Sequence, residues 1–136
     1  MQAKTIGTVV ATALLAAVAT QAVAHHSGAM FDDKKEVTVT GTVQEFQYTN
    51  PHSWLLVDVK GKDGKVTTWG FEAEGPSSLT RAGIRKSDFA PGTPITITGH
   101  PMRDGRPAGA WMKATRTTDN KEFNPLAGFA VKKAAE

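Results

Sequence analysis

The sequence predicts an all-β fold, mainly strand with one short helix, closed as a five-stranded OB-like Greek-key barrel. Three observations carry this expectation. Between Glu36 and Thr118 the dominant pattern is an alternation of period two in Val, Ile, Thr and aromatic residues, which is the signature of half-buried strands. Two Gly-bearing turns, Lys62-Asp63-Gly64-Lys65 and Arg103-Asp104-Gly105-Arg106, join strands as hairpins. The order of elements, three strands, a short helix and two strands, matches the OB type, in which the helix lies between strands three and four.

Each element has its own reason. The first strand runs from Glu36 to Tyr48: Val37, Val39 and Val43 share a parity that breaks before Phe46, so Gly41 or the Gln44-Glu45 pair is the expected bulge. The second spans Ser53 to Lys60, with Leu55, Val57 and Val59 on one side and Trp54, Leu56 and Asp58 on the other. Val66 to Ala73 forms the third, whose Trp69, Phe71 and Ala73 share a face. Pro76 to Gly83 reads as one or two helical turns, opened by proline and stopped by glycine. Asp88 to Gly92 is read as a loop. The fourth strand is Thr93 to Met102, with Ile95 and Ile97 inward; the fifth is Pro107 to Thr118, with Ala108, Ala110, Met112 and Ala114 on one parity. Residues 119–136 read as a loose C-terminal tail.

The N-terminus reads as a leader. Lys4 supplies a positive charge, Ile6 to Ala19 are apolar or small, and Ala22-Val23-Ala24 has the spacing of a signal-peptidase site. Cleavage after Ala24 is expected to leave a periplasmic or secreted chain beginning at His25, with an N-terminal arm over residues 25–35 and one barrel domain over 36–118. Removing 24 of 136 residues leaves 112, room for one small domain, and lowers the formal net charge from +3 to +2. So mild a charge gives no reason to expect a nucleic-acid partner. The chain has no cysteine, which excludes disulfides and thiolate metal sites. Past the leader no apolar run approaches the roughly 20 residues that cross a bilayer.

The chain resembles a family of small exported bacterial proteins classed as a domain of unknown function. The resemblance rests on His25-His26-Ser27, Val39-Thr40-Gly41-Thr42-Val43, Thr49-Asn50-Pro51-His52 with Trp54, Trp69 followed by Glu72, and Gly99 leading to Asp104-Gly105. It implies export and a compact β-domain, and it brings no mechanism.

Chemistry must therefore come from the residues. The four histidines are the one coherent cluster. In an OB-type barrel the loops after strands one and four flank one face, which would bring His52 and His100 together. The free α-amine and imidazole of a mature His25 form a chelate ring, and nitrogen donors of this kind suit Cu(II) best. The expected metal ligands are His25, His52 and His100, with His26 and Met102 in second rank, and copper is the expected cofactor. The alternative is a non-metal binding module that recognises an oligosaccharide or protein segment through an aromatic face of Tyr48, Trp54 and Trp111. Glu72 and Glu74, two residues apart on a strand, share a face as an acid/base pair would. No nucleophile, phosphate-cradling loop or complete metalloprotease motif accompanies them, so an enzyme is not the expectation. Arg81, Arg85 and Lys86 read as a small solvated basic patch.

Overall fold

The structure, a computed structural model, describes residues 27–127. Ser27–Met30 form a 3-10 turn, which belongs with the N-terminal segment. The body begins at Phe31 and holds six strands: β1 (Val37–Gln47), β2 (His52–Lys60), β3 (Val66–Glu74), β4 (Pro94–Pro101), β5 (Ala108–Arg116) and β6 (Lys121–Phe123). A helix, α1 (Pro76–Arg81), and a 3-10 turn, Lys86–Phe89, stand between β3 and β4. The strands pair in the order β3-β2-β1-β4-β5-β6, and a parallel contact between β3 and β5 closes the first five into a mixed barrel, with β6 added to β5. This is the OB-like arrangement with its helix in the expected place.

The core follows the alternation. Leu55, Val57, Phe71, Ile95 and Ile97 are fully buried. In β1 the register against β2 shifts between Val43 and Glu45, so Gln44 is the bulged residue and Val43 and Phe46 both turn inward. Leu79 of α1 and Ile84 close one end of the core. Tyr48 fastens that helix: its hydroxyl lies 3.1 Å from the Pro76 carbonyl, 2.9 Å from Thr80 Oγ1 and 2.9 Å from the Ile84 carbonyl.

Three expectations are corrected. The fifth strand does not bury the parity of Ala108, Ala110 and Met112. Gly99 pairs with Trp111 while Thr98 pairs with Lys113, so Met112 is an extra residue that reverses the alternation. Gly109, Trp111 and Ala114 are the buried residues as a result. Asp88 to Gly92 is not simply a loop, since Phe89, at the end of the 3-10 turn, packs against Phe46, Trp111 and Phe123 with ring centroids 5.6, 5.4 and 4.7 Å away. The segment after residue 119 is not loose throughout: β6 pairs with β5, and Phe123 and Pro125 are buried. Arg116 locks this corner, donating to Asp119 at 3.0 and 2.6 Å and to the Asp88 carbonyl at 3.0 Å. Its guanidinium holds the Asp119 carboxyl down to about 2.

Residues 31–35 also belong to the body, although they read as part of an arm. Phe31 bridges to Met102, Asp32 N–H donates to the Pro101 carbonyl at 2.8 Å, and Arg103 reaches Asp32 at 3.7 Å.

Barrel closure demands small residues where β4, β5 and β3 crowd together. A Cβ on Gly99 would overlap the Ala110 carbonyl oxygen and stand 3.0 Å from Phe71 Cδ1. Gly99→Ala is therefore expected to cost about 1–3 kcal/mol through overpacking. Urea unfolding monitored by tryptophan fluorescence measures it, and an unchanged midpoint would show that the closure has slack.

Candidate functional site

The site is built from residues that the alternation turns outward. On β2 these are His52, Trp54 and Leu56; on β3, Gly70 and Glu72; on β5, Ala108 and Ala110; on β4, His100. All are partly buried, and their inward neighbours form the core. Register then places them in one row. Trp54 pairs with Glu72, Glu72 with Ala110, and Ala110 with His100. Three interstrand steps at about 4.8 Å make this row roughly 14 Å wide.

Trp54 leans across β3. A Cβ placed on Gly70 would lie 3.3 Å from Trp54 Cε3 and 3.5 Å from Cζ3, so the indole covers the space a side chain would fill at position 70. Beyond it the floor remains low, because Ala108 and Ala110 carry only methyl groups. Glu72 stands beside the indole. Its side chain is only 10% exposed, and Oε1 lies 3.1 Å from His52 Nδ1. Burial pushes the Glu72 carboxyl above its usual range; His52 opposes that shift and Glu74 adds to it. A carboxyl so placed offers hydrogen-bond acceptors directly beside an aromatic surface.

His100 occupies the other end of the row. Its Nδ1 lies 2.7 Å from the Lys35 carbonyl, which can only accept, so Nδ1–H is the donor and Nε2 is the nitrogen that this contact leaves free.

The expected ligands thus meet different fates. His52 and His100 share the outer face, with β3 and β5 between them. His25 and His26 lie outside the described residues. Met102 is buried, and its backbone bridges to Phe31. Among the described residues no three His, Asp or Glu side chains gather into a metal-holding group. The three residues expected to form an aromatic face are placed differently from one another. Trp111 is buried, 3% exposed, within the aromatic cluster of Phe46 and Phe89, and the Tyr48 hydroxyl is committed to α1. Trp54 alone of the three faces outward on the barrel wall. The pairing of Glu72 with His52 escaped sequence reasoning, which set Glu72 beside Glu74; only the β2–β3 register brings His52 within reach of Glu72.

A family model described as a family of unknown function, DUF6152, matches residues 11–112, and the chain belongs to that family. Comparison with curated proteins finds no match. Among the described residues no helix is long and apolar enough to cross a membrane.

The raised Glu72 carboxyl has a signed consequence. Above the ordinary value of 4.5 the folded chain holds this proton more tightly than the unfolded chain, so stability falls as pH rises through that window. Glu72→Gln is expected to flatten this fall, and His52→Ala to steepen it by removing the opposing charge. Thermal unfolding between about pH 4 and pH 7 measures both; an unaltered slope in Glu72→Gln would contradict the assignment.

Proposed function

We propose that this member of a family of unknown function is an exported binding module that takes a ring-bearing polar ligand, an oligosaccharide foremost, on its outer β2–β3–β5 face. The observation that carries the reading is the Trp54 indole lying over Gly70 with the Glu72 carboxyl as its cross-strand partner. Sugar rings present apolar C–H faces and polar edges; an indole surface suits the first and a carboxyl held by an imidazole suits the second. Gly70, Ala108 and Ala110 leave the ligand room beside the indole, and the width of the row accommodates more than one ring. Export, to the periplasm or beyond, is supported by the charge, the apolar run and the Ala-x-Ala spacing of residues 1–24.

A second reading is copper binding. A specific observation favours it: both barrel histidines hold Nδ1 against an acceptor, Glu72 for His52 and the Lys35 carbonyl for His100. Metal-ligating histidines are oriented in this way, with Nε2 left for the ion. The barrel residues do not supply three ligands, so this reading requires further donors, for which His25, His26 and the mature α-amine are the candidates.

Two titrations separate the readings. Calorimetry of the processed protein against neutral oligosaccharides is expected to find a binder whose affinity falls about tenfold in Trp54→Ala and similarly in Gly70→Val, which displaces the indole. Indifference to both variants would sink the ligand face. A Cu(II) titration of the untagged, processed protein, set against His25→Ala and a His52→Ala/His100→Ala double variant, tests the second reading; copper bound no more tightly than by a free His-His-Ser peptide would end it.

A further inference from the structure

Asp32-Asp33-Lys34-Lys35 favours a turn, because an aspartate at the first position can accept the backbone N–H two residues on. The structure closes this turn just before β1. Lys35 N–H donates to the Asp32 carbonyl at 3.1 Å, and Lys34 N–H donates to Asp32 Oδ1 at 3.2 Å. The turn is tied to the end of β4 by Asp32 N–H, which donates to the Pro101 carbonyl at 2.8 Å, and by the bridge between Phe31 and Met102, both buried. So held, it presents the Lys35 carbonyl to His100, whose Nδ1–H donates to it at 2.7 Å.

His100 is partly exposed at the far end of the outer row, and Ala110 stands between it and Glu72. Two interstrand steps separate Glu72 from His100, about 10 Å of backbone spacing. A single ring stacked on Trp54 with its edge at Glu72 falls short of His100; a longer ligand crosses the Ala110 methyl and reaches it. The Lys35 contact fixes the imidazole through Nδ1 and leaves Nε2 for that ligand. The backbone of the turn matters more here than its charges. Lys35 and Arg103 stand 3.4 and 3.7 Å from the Asp32 carboxylate with side chains 73% and 55% exposed, and ion pairs in such surroundings contribute little.

We propose that His100 is the second anchor of the ligand face and that Asp32, through the turn it closes, is its positioning residue, so that the face selects oligosaccharides over single sugars. The inference rests on the oligosaccharide reading of the outer face and extends that face from β5 to β4. Trp54 and Glu72 take the first ring, and His100 Nε2 takes a hydroxyl of a later one. A ring nitrogen already fixed by the Lys35 carbonyl costs less to order on binding than a free imidazole, which is what makes the turn part of the site.

The test is calorimetry with glucose, cellotetraose and maltotetraose on the wild-type protein and on His100→Ala, Asp32→Ala, Asp32→Asn and Trp54→Ala, with thermal unfolding to separate loss of the fold from loss of the anchor. A tetrasaccharide is expected to bind at least about tenfold more tightly than glucose, with that gain lost in His100→Ala and Asp32→Ala. Asp32→Asn keeps an acceptor for the Lys34 N–H and is expected to retain the gain. Imidazole nitrogen spectra of the free protein give a readout that needs no sugar: the His100 Nδ1 proton should exchange about tenfold faster in Asp32→Ala and as in the wild type in Asp32→Asn. An Nδ1 proton unmoved by Asp32→Ala overturns the positioning role. Binding that requires Trp54 but keeps its gain with length in His100→Ala overturns the second anchor and leaves the oligosaccharide reading standing. If none of these sugars binds, this inference falls together with that reading.

Discussion

The structure depends on three parallel rungs: Gly70 to Ala108, Phe71 to Gly109, and Glu72 to Ala110. Without them β3 and the first half of β5 would be open edges, and the antiparallel sheet would stay open with its apolar side uncovered. Closure brings the inner faces together, so that Phe71 and Leu55 meet Ile97 and Trp111 in one core. The condition for closure is a lack of bulk. Four of the six residues in the rungs are glycine or alanine, and Gly99 on β4 admits the Ala110 carbonyl at a distance no side chain would allow.

The same constraint shapes the outer surface. Residues small enough to let two strands meet also leave a low floor, and the indole of Trp54 fills part of it from β2. Glu72 takes part in the closing rungs, so its backbone is held by partners on both sides, Trp54 and Ala110. The β2–β3 register supplies its contact with His52, and its burial raises its affinity for a proton against that contact.

Much of this was legible in the residues. Alternation located the first five strands to within two residues at each end, and the broken parity after Val43 located the first bulge. The fifth strand was misread for a definite reason. Alternation counts residues, whereas a bulge removes one from the count, and nothing in Ala-Trp-Met-Lys marks Met112 as the extra residue. Phe89 stood among residues typical of a loop, and its burial depends on rings contributed by β1, β5 and β6, which only the closed barrel assembles. His52 and His100 were recognisable as chemically capable, but their acceptors were not. A contact from His52 to Glu72, or from His100 to the Lys35 carbonyl, is set by strand register, and register is absent from any local pattern.

The placement of the two histidines bears on how the face divides its work. His52 is engaged by a carboxylate and His100 by a neutral carbonyl, so the two rings are held by different acceptors. At the Trp54 end of the row His52 lowers the Glu72 carboxyl against the burial that raises it. At the other end the Lys35 carbonyl answers His100 only as a dipole. A neutral ligand on Trp54 and Glu72 therefore meets a carboxyl already engaged by an imidazole, while an ion bound at His100 would use the ring nitrogen that the Lys35 contact leaves free.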